Sequence, residues 1–136
     1  MIKKTVTYED IEGNKRTEDF YFNLTKAELS EMASSEEGGF ENYLKRIIET
    51  KDANKMIAII KDIIAKSYGV RTDDGKFFRK SKELSEAFLG SDAYSEVFMD
   101  IAANPDKANE FMLGILPTSI REEVAKNLQN SQEVNA

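Results

Sequence analysis

The side chains of this chain that could do chemistry are carboxylates, lysines, tyrosines and serines, because it holds neither histidine nor cysteine. That removes the commonest general base, the commonest metal ligand and the thiol nucleophile together. Paired carboxylates hydrolyse glycosides when held about 5–9.5 Å apart across a cleft. The acids here fall mostly at the starts of expected helices or beside bases, as Glu28, Glu83, Asp92 and Glu122 do. There a carboxylate satisfies backbone N–H groups and faces the positive end of the helix dipole. Asp73-Asp74-Gly75 has the first ligand of a calcium loop, but Gly75 and Phe77 stand where the next oxygen donors belong. It is expected to be a turn. Gly38-Gly39 lacks the Lys-Ser/Thr of a nucleotide loop. Tyr8, Tyr21, Tyr43, Tyr68 and Tyr94 could stack on bases, but three of them (Tyr43, Tyr68 and Tyr94) sit on expected helical apolar stripes, which favours packing. No catalytic, cofactor-binding or metal site is expected, and no cofactor.

The charge balance points the same way. Asp and Glu number 25 against 19 Lys and Arg, a net charge of −6. Nucleic-acid binding needs clustered bases to displace counterions, whereas here they are interleaved with acids, as in Lys45-Arg46 before Glu49 and Arg121 before Glu122-Glu123. Neither nucleic acid nor an anionic membrane is an expected partner. A mimic of DNA would need dense blocks of acid with few bases, which mixed charge of this kind does not supply. Apolar stretches of four or five residues fall far short of the ~20 needed to span a bilayer. Met1-Ile2-Lys3-Lys4 runs into threonines and acids where a signal peptide has its apolar segment. A soluble, cytoplasmic chain is expected, and the absence of cysteine fits a reducing compartment.

The elements that would position these residues are legible from period and punctuation. Residues 2–8 alternate, Ile2, Val6 and Tyr8 on one side with Lys4 interrupting, and Lys3, Thr5 and Thr7 on the other. Residues 16–24 alternate again, Phe20, Phe22 and Leu24 against Thr17, Asp19 and Tyr21, and Gly13-Asn14 in the turn between can take positive φ. This is a β-hairpin with one apolar face. A lone hairpin is marginal in water, so that face must pack on helices or pair with something else; its free edge could join another copy or a client strand.

After residue 24 the pattern is helical. Thr25 and Glu28 form a capping box. Gly38-Gly39 precedes Phe40, Tyr43, Leu44, Ile47 and Ile48 at helical spacing. Asp52 can cap a helix carrying Met56, Ile57, Ile59, Ile60, Ile63 and Ile64, apolar enough to be central, with Gly69 as its left-handed C-terminal cap. Residues 70–80 predict a second small hairpin or ordered loop. Ser81 and Ser91-Asp92 open two helices, and Asn104-Pro105 a third that Pro117 ends. Ser119 and Glu122 are positioned as a second capping box ahead of Val124, Ala125 and Leu128. The expected fold class is α+β, predominantly α-helical: an N-terminal β-hairpin over 2–24, then a bundle of about five to seven short helices over 25–128. One domain over 1–128 is expected, with a disordered polar tail at 129–136.

What remains is apolar helix surface. Phe111, Met112, Ile115 and Leu116, with Leu113 among them, form nearly a continuous run. A core helix explains it, and so does a partner-binding patch in which flexible Met112 adapts beside Phe111; sequence does not separate the two.

Three strings then matter through their order: TVTYEDIEGNKRTEDFYFNLTKAELSEM, IIKDIIAKSYGVRTDDGKFFRKSKELSEAF and SDAYSEVFMDIAANPDKANEFMLGILP. Over roughly residues 2–117 the chain resembles the tail assembly chaperones of long-tailed, siphovirus-type phages and prophages of Gram-positive bacteria. The resemblance implies a non-enzymatic viral protein of the bacterial host cytoplasm. It would bind the tape-measure protein, and the tail tube protein as a further client, during tail assembly, and be absent from the finished tail. It also implies that a longer, frameshifted form can exist. The alternatives are a structural tail or connector subunit, which purified particles would contain, and an acidic host-interaction protein, which would capture a host enzyme.

Overall fold

The computed structural model describes residues 1–34, 38–39, 42, 53–103 and 105–122. Strand β1 (Ile2–Glu9) pairs antiparallel with β2 (Lys15–Phe22) from Ile2↔Phe22 to Glu9↔Lys15. The turn is built by Asp10, whose Oδ1 accepts from the backbone N–H groups of Glu12 and Asn14, each at 2.9 Å. Gly13 takes φ +83° there, the conformation a residue without Cβ adopts at no steric cost. Asn14 does not share it. Hydrogen bonds to Arg16 at 2.7 Å and to the Asn14 and Glu12 backbone hold the Asp10 carboxyl below its usual range.

The hairpin then hands over to helices: α1 (Lys26–Ser34), α2 (Ala53–Ser67), a second hairpin of β3 (Tyr68–Arg71) and β4 (Phe78–Arg79), α3 (Lys82–Leu89), α4 (Asp92–Ala102) and α5 (Pro105–Gly114). The architecture is α+β and mostly helical, with the sheet ordered β1-β2-β3-β4. Beyond β2 the chain is tied to two helix ends. Asn23 N–H donates to the Ser67 carbonyl and Leu24 N–H to the Ile115 carbonyl, both at 2.8 Å. These are carbonyls that a helix terminus leaves without an internal partner.

The apolar face of the hairpin lies on the helices and closes one core. Phe22 is fully buried, its ring 5.3 Å from Phe111, 5.7 Å from Phe88 and 5.9 Å from Tyr68. Phe88 and Tyr68 stack at 4.3 Å with planes 14° apart. Ile63 and Ile64 of α2, Val97 and Ile101 of α4, and Ile115 and Leu116 complete it. Lys4, the polar interruption on this face, bonds Asp100 of α4 at 3.1 Å. Its ammonium is thereby paired where a lone charge would cost burial energy.

Three helix starts match the sequence reading. Thr25 and Glu28 form the reciprocal box, Thr25 N–H to Glu28 Oε1 at 2.9 Å and Glu28 N–H to Thr25 Oγ1 at 3.1 Å. Ser81 accepts from Leu84 N–H at 3.1 Å, and Ser91 from Tyr94 N–H at 3.3 Å. The expected second box differs. The turn at 118–122 begins from the Pro117 carbonyl, which accepts from Ile120 and Arg121 N–H groups, so Ser119 lies inside the turn rather than capping it. Asp52, Asn104, the stripe Phe40, Tyr43, Leu44, Ile47 and Ile48, the residues Val124, Ala125 and Leu128, and the tail 129–136 lie outside the described residues.

Gly69 is also not the helix cap its position suggested. α2 ends at Ser67 and the chain enters β3 directly, with Tyr68 in the strand rather than on a helical stripe, so Gly69 is a buried strand residue opposite Tyr21. Its reason is close approach: a Cβ there would stand 2.7 Å from the Arg79 carbonyl oxygen and from the Phe78 ring. The backbone oxygen cannot give way cheaply. Gly69→Ala is therefore expected to cost about 1–3 kcal/mol, read as a lowered midpoint in chemical denaturation. An unchanged midpoint would show that β4 moves aside freely.

Candidate functional site

Of the acids singled out in sequence, Glu28, Asp74, Glu83 and Asp92 have structural roles. Glu83 and Asp92 sit in the first turns of α3 and α4, facing the positive helix ends. Asp74 closes the second hairpin, accepting from Thr72 Oγ1 at 2.6 Å and Lys76 N–H at 3.0 Å. The Thr72 bond first, and then the Lys76 bond, hold its carboxyl below the ordinary value. Gly75 beside it takes φ +75°. Among the described residues no three acids group in a way that could hold a metal ion.

Glu28 does more than cap. Its carboxylate takes Lys80 Nζ on both oxygens at 2.7 Å, and the same ammonium donates to the Asn23 carbonyl. This three-way contact clamps the start of α1 to the end of the second hairpin. Partial burial pushes the Glu28 carboxyl up, but the Lys80 bond, the Thr25 bonds and the Lys80 charge outweigh it, and the net shift is downward. A carboxylate with a depressed folded pKa stabilises above its unfolded value, and that stability is lost as pH falls through the folded one. Stability is thus expected to decline as pH drops below the ordinary glutamate value of about 4.3. In Glu28→Gln that part of the decline should be missing when urea midpoints are compared across the same range. Identical acid profiles would remove the clamp from the account.

The tyrosines pack or pair. Tyr68 and Tyr94 join the Phe88 cluster, and burial raises both phenols. Tyr8 lies against Phe20 and donates to Glu18 at 3.1 Å. Tyr21 faces outward beneath the Arg71 guanidinium, 5.1 Å from its ring centre. Tyr43 lies outside the described residues.

Of the proposed contact residues, Phe111, Ile115 and Leu116 converge in the core, while Met112, like Leu113, keeps part of its surface in solvent. Hairpin and helix are in close register here: a Cβ on Gly114 would stand 2.7 Å from Ile2 Cδ1. The large apolar side chains that are exposed lie elsewhere. Phe77 is 68% and Met99 66% accessible, Ile11 is fully exposed at the first hairpin's tip, and Ile57 and Val70 are about half so. The sequence places Ile57 on the central apolar helix, where about half of its surface is in fact exposed, and signals existed for the exposure of Met99, Phe77 and Ile11. Met99 falls on the opposite side of α4 from Val97 and Ile101 at 100° per residue. Phe77 follows a tight turn, and Ile11 stands in the acidic turn Glu9-Asp10-Ile11-Glu12. A shallow depression of mixed polar and apolar lining, formed by Leu24, Glu28, Glu31, Met32 and Lys66, lies beside α1.

Apolar side chains are thus exposed on a charged helical scaffold, while Glu28, Asp74, Glu83 and Asp92 serve helix starts, a turn and a clamp. The chain belongs to the phage tail assembly chaperone family, whose profile matches residues 1–136. Neither a curated protein nor a solved structure matches it.

Proposed function

We propose that this chaperone binds the tape-measure protein of its phage, keeps that long, aggregation-prone chain soluble while the tail assembles, and engages the tube protein as a second client. The observation that carries the reading is the family match along the whole sequence. The surface chemistry supports it: a net charge of −6 favours solubility of a loaded complex, and exposed Met99, Phe77 and Ile57 offer apolar contact to client helices. On the run at 111–116, the contact falls to Met112 and Leu113, the members that solvent reaches. Among the described residues no helix is long and apolar enough to cross a membrane.

Coexpression tests the proposal. Fragments tiling the tape-measure protein should move from the pellet into the soluble fraction when this chain is coexpressed. Unchanged precipitation of every fragment would defeat it.

A further inference from the structure

Among the described residues the longest open edge of the sheet is that of β1. β1 is the terminal strand of the order β1-β2-β3-β4, and among the described residues no backbone group of another segment reaches Lys3, Thr5, Thr7 or Glu9. Which groups point outward follows from the turn. Asp10 N–H donates across the hairpin to the Asn14 carbonyl, so even-numbered residues of β1 direct their backbone groups to β2. The odd-numbered ones direct theirs to the open edge.

We propose that the occupant of this edge is a second copy of the chain, its β1 antiparallel to the first and the twofold axis at Val6. Charge chooses the register. Centred on Val6, Lys3 of one copy lies opposite Glu9 of the other, twice per dimer, and Thr5 lies opposite Thr7. Moved two residues toward the N-terminus, so that Thr5 faces itself, the strands pair Lys3 with Thr7 and Lys4 with Val6, and both charge pairs vanish. Residues directly opposite in an antiparallel pair share a face, so the rows already present in each hairpin continue across the axis. Glu9 stands opposite Lys15 in its own hairpin and Lys3 opposite Tyr21, giving the row Lys15, Glu9, Lys3 of the second copy, Tyr21 of the second copy. The hydroxyl row Thr17 to Thr7, bonded at 2.9 Å, meets the row Thr5 to Asp19, bonded at 2.6 Å. The odd residues then exchange backbone hydrogen bonds, and Val6 faces its own copy as a non-hydrogen-bonded pair. An exposed edge of this length is otherwise a template for uncontrolled pairing; a closed twofold contact consumes it.

The chain contains no cysteine, so introduced thiols report the register. Opposed residues of a non-hydrogen-bonded pair lie about 4.5 Å apart at Cα, within disulfide reach. Under mild oxidation Val6→Cys should give a covalent dimer, whereas Thr5→Cys and Thr7→Cys, which do not face themselves, should remain largely unlinked. Light scattering of the unmodified chain should show a dimer that dissociates on dilution. Lys3→Glu should weaken that dimer roughly ten-fold, because two cross-strand attractions become repulsions. The swap Lys3→Glu with Glu9→Lys, made together with Lys15→Glu so that position 9 keeps an opposite charge across its own hairpin, should restore it. Thr5→Pro removes an outward N–H without breaking a β1–β2 ladder bond and should give a folded monomer. If that variant unfolds, the charge swap still decides. A monomer at every soluble concentration, self-linking at Thr5→Cys instead of Val6→Cys, or a swap as weak as the single reversal would overturn the proposal.

Discussion

Phe22→Ala is expected to lower the unfolding free energy by about 3–5 kcal/mol, a large share of the ~5–15 kcal/mol a domain has. Phe22 is fully buried where four elements meet: its own strand, Tyr68 of β3, Phe88 of α3 and Phe111 of α5. Truncation removes the transfer energy of the ring and leaves a hole that Phe88 resists filling, since it is held by Phe20, Tyr94 and the stacked Tyr68. Phe22 is also the last residue of β2, just before the bonds to Ser67 and Ile115. The loss should therefore appear in every segment at once, as one transition shifted to lower urea with an unchanged slope. A second transition in which the hairpin melts alone would show that hairpin and helices are not one cooperative unit.

The second large effect separates core from surface within six residues. Ile115→Lys would place an ammonium at a fully buried position within the hydrophobic core cluster. Leaving a buried charge uncompensated costs several kcal/mol, so this variant should lose its cooperative transition and near-ultraviolet circular dichroism. Met112→Lys, one turn earlier and partly in solvent, should lose no more than about 1–2 kcal/mol while reducing retention of a tape-measure fragment. If both variants fold and both lose the client, the stripe is surface in the working form of the protein.

The residues most legible in sequence were those whose roles are local. The capping hydroxyls of Thr25, Ser81 and Ser91 act within three residues of themselves, and the hairpin is written in the alternation of 2–8 and 16–24. What sequence did not reveal depends on distant neighbours. Gly69 after an apolar helix has the pattern of a cap; only the approach of Phe78 and Arg79 across the second hairpin makes it a strand residue. Ser119 and Glu122 have the spacing of a box, but Pro117 offers its carbonyl two residues earlier and the turn starts there. The 111–116 run was ambiguous because burial is decided by Phe22 and Ile2, some ninety and some hundred and ten positions away. Nor did spacing foretell the Lys80 clamp on Glu28, which joins residues 52 positions apart.

Direct binding of the tape-measure protein is the central proposal. The decisive measurement is the mass, by light scattering after size exclusion, of this chain alone and after copurification with that protein. A stable mixed complex, soluble and of defined mass, is expected. Separate elution, with this chain unchanged and the tape-measure protein aggregated, would contradict the proposal.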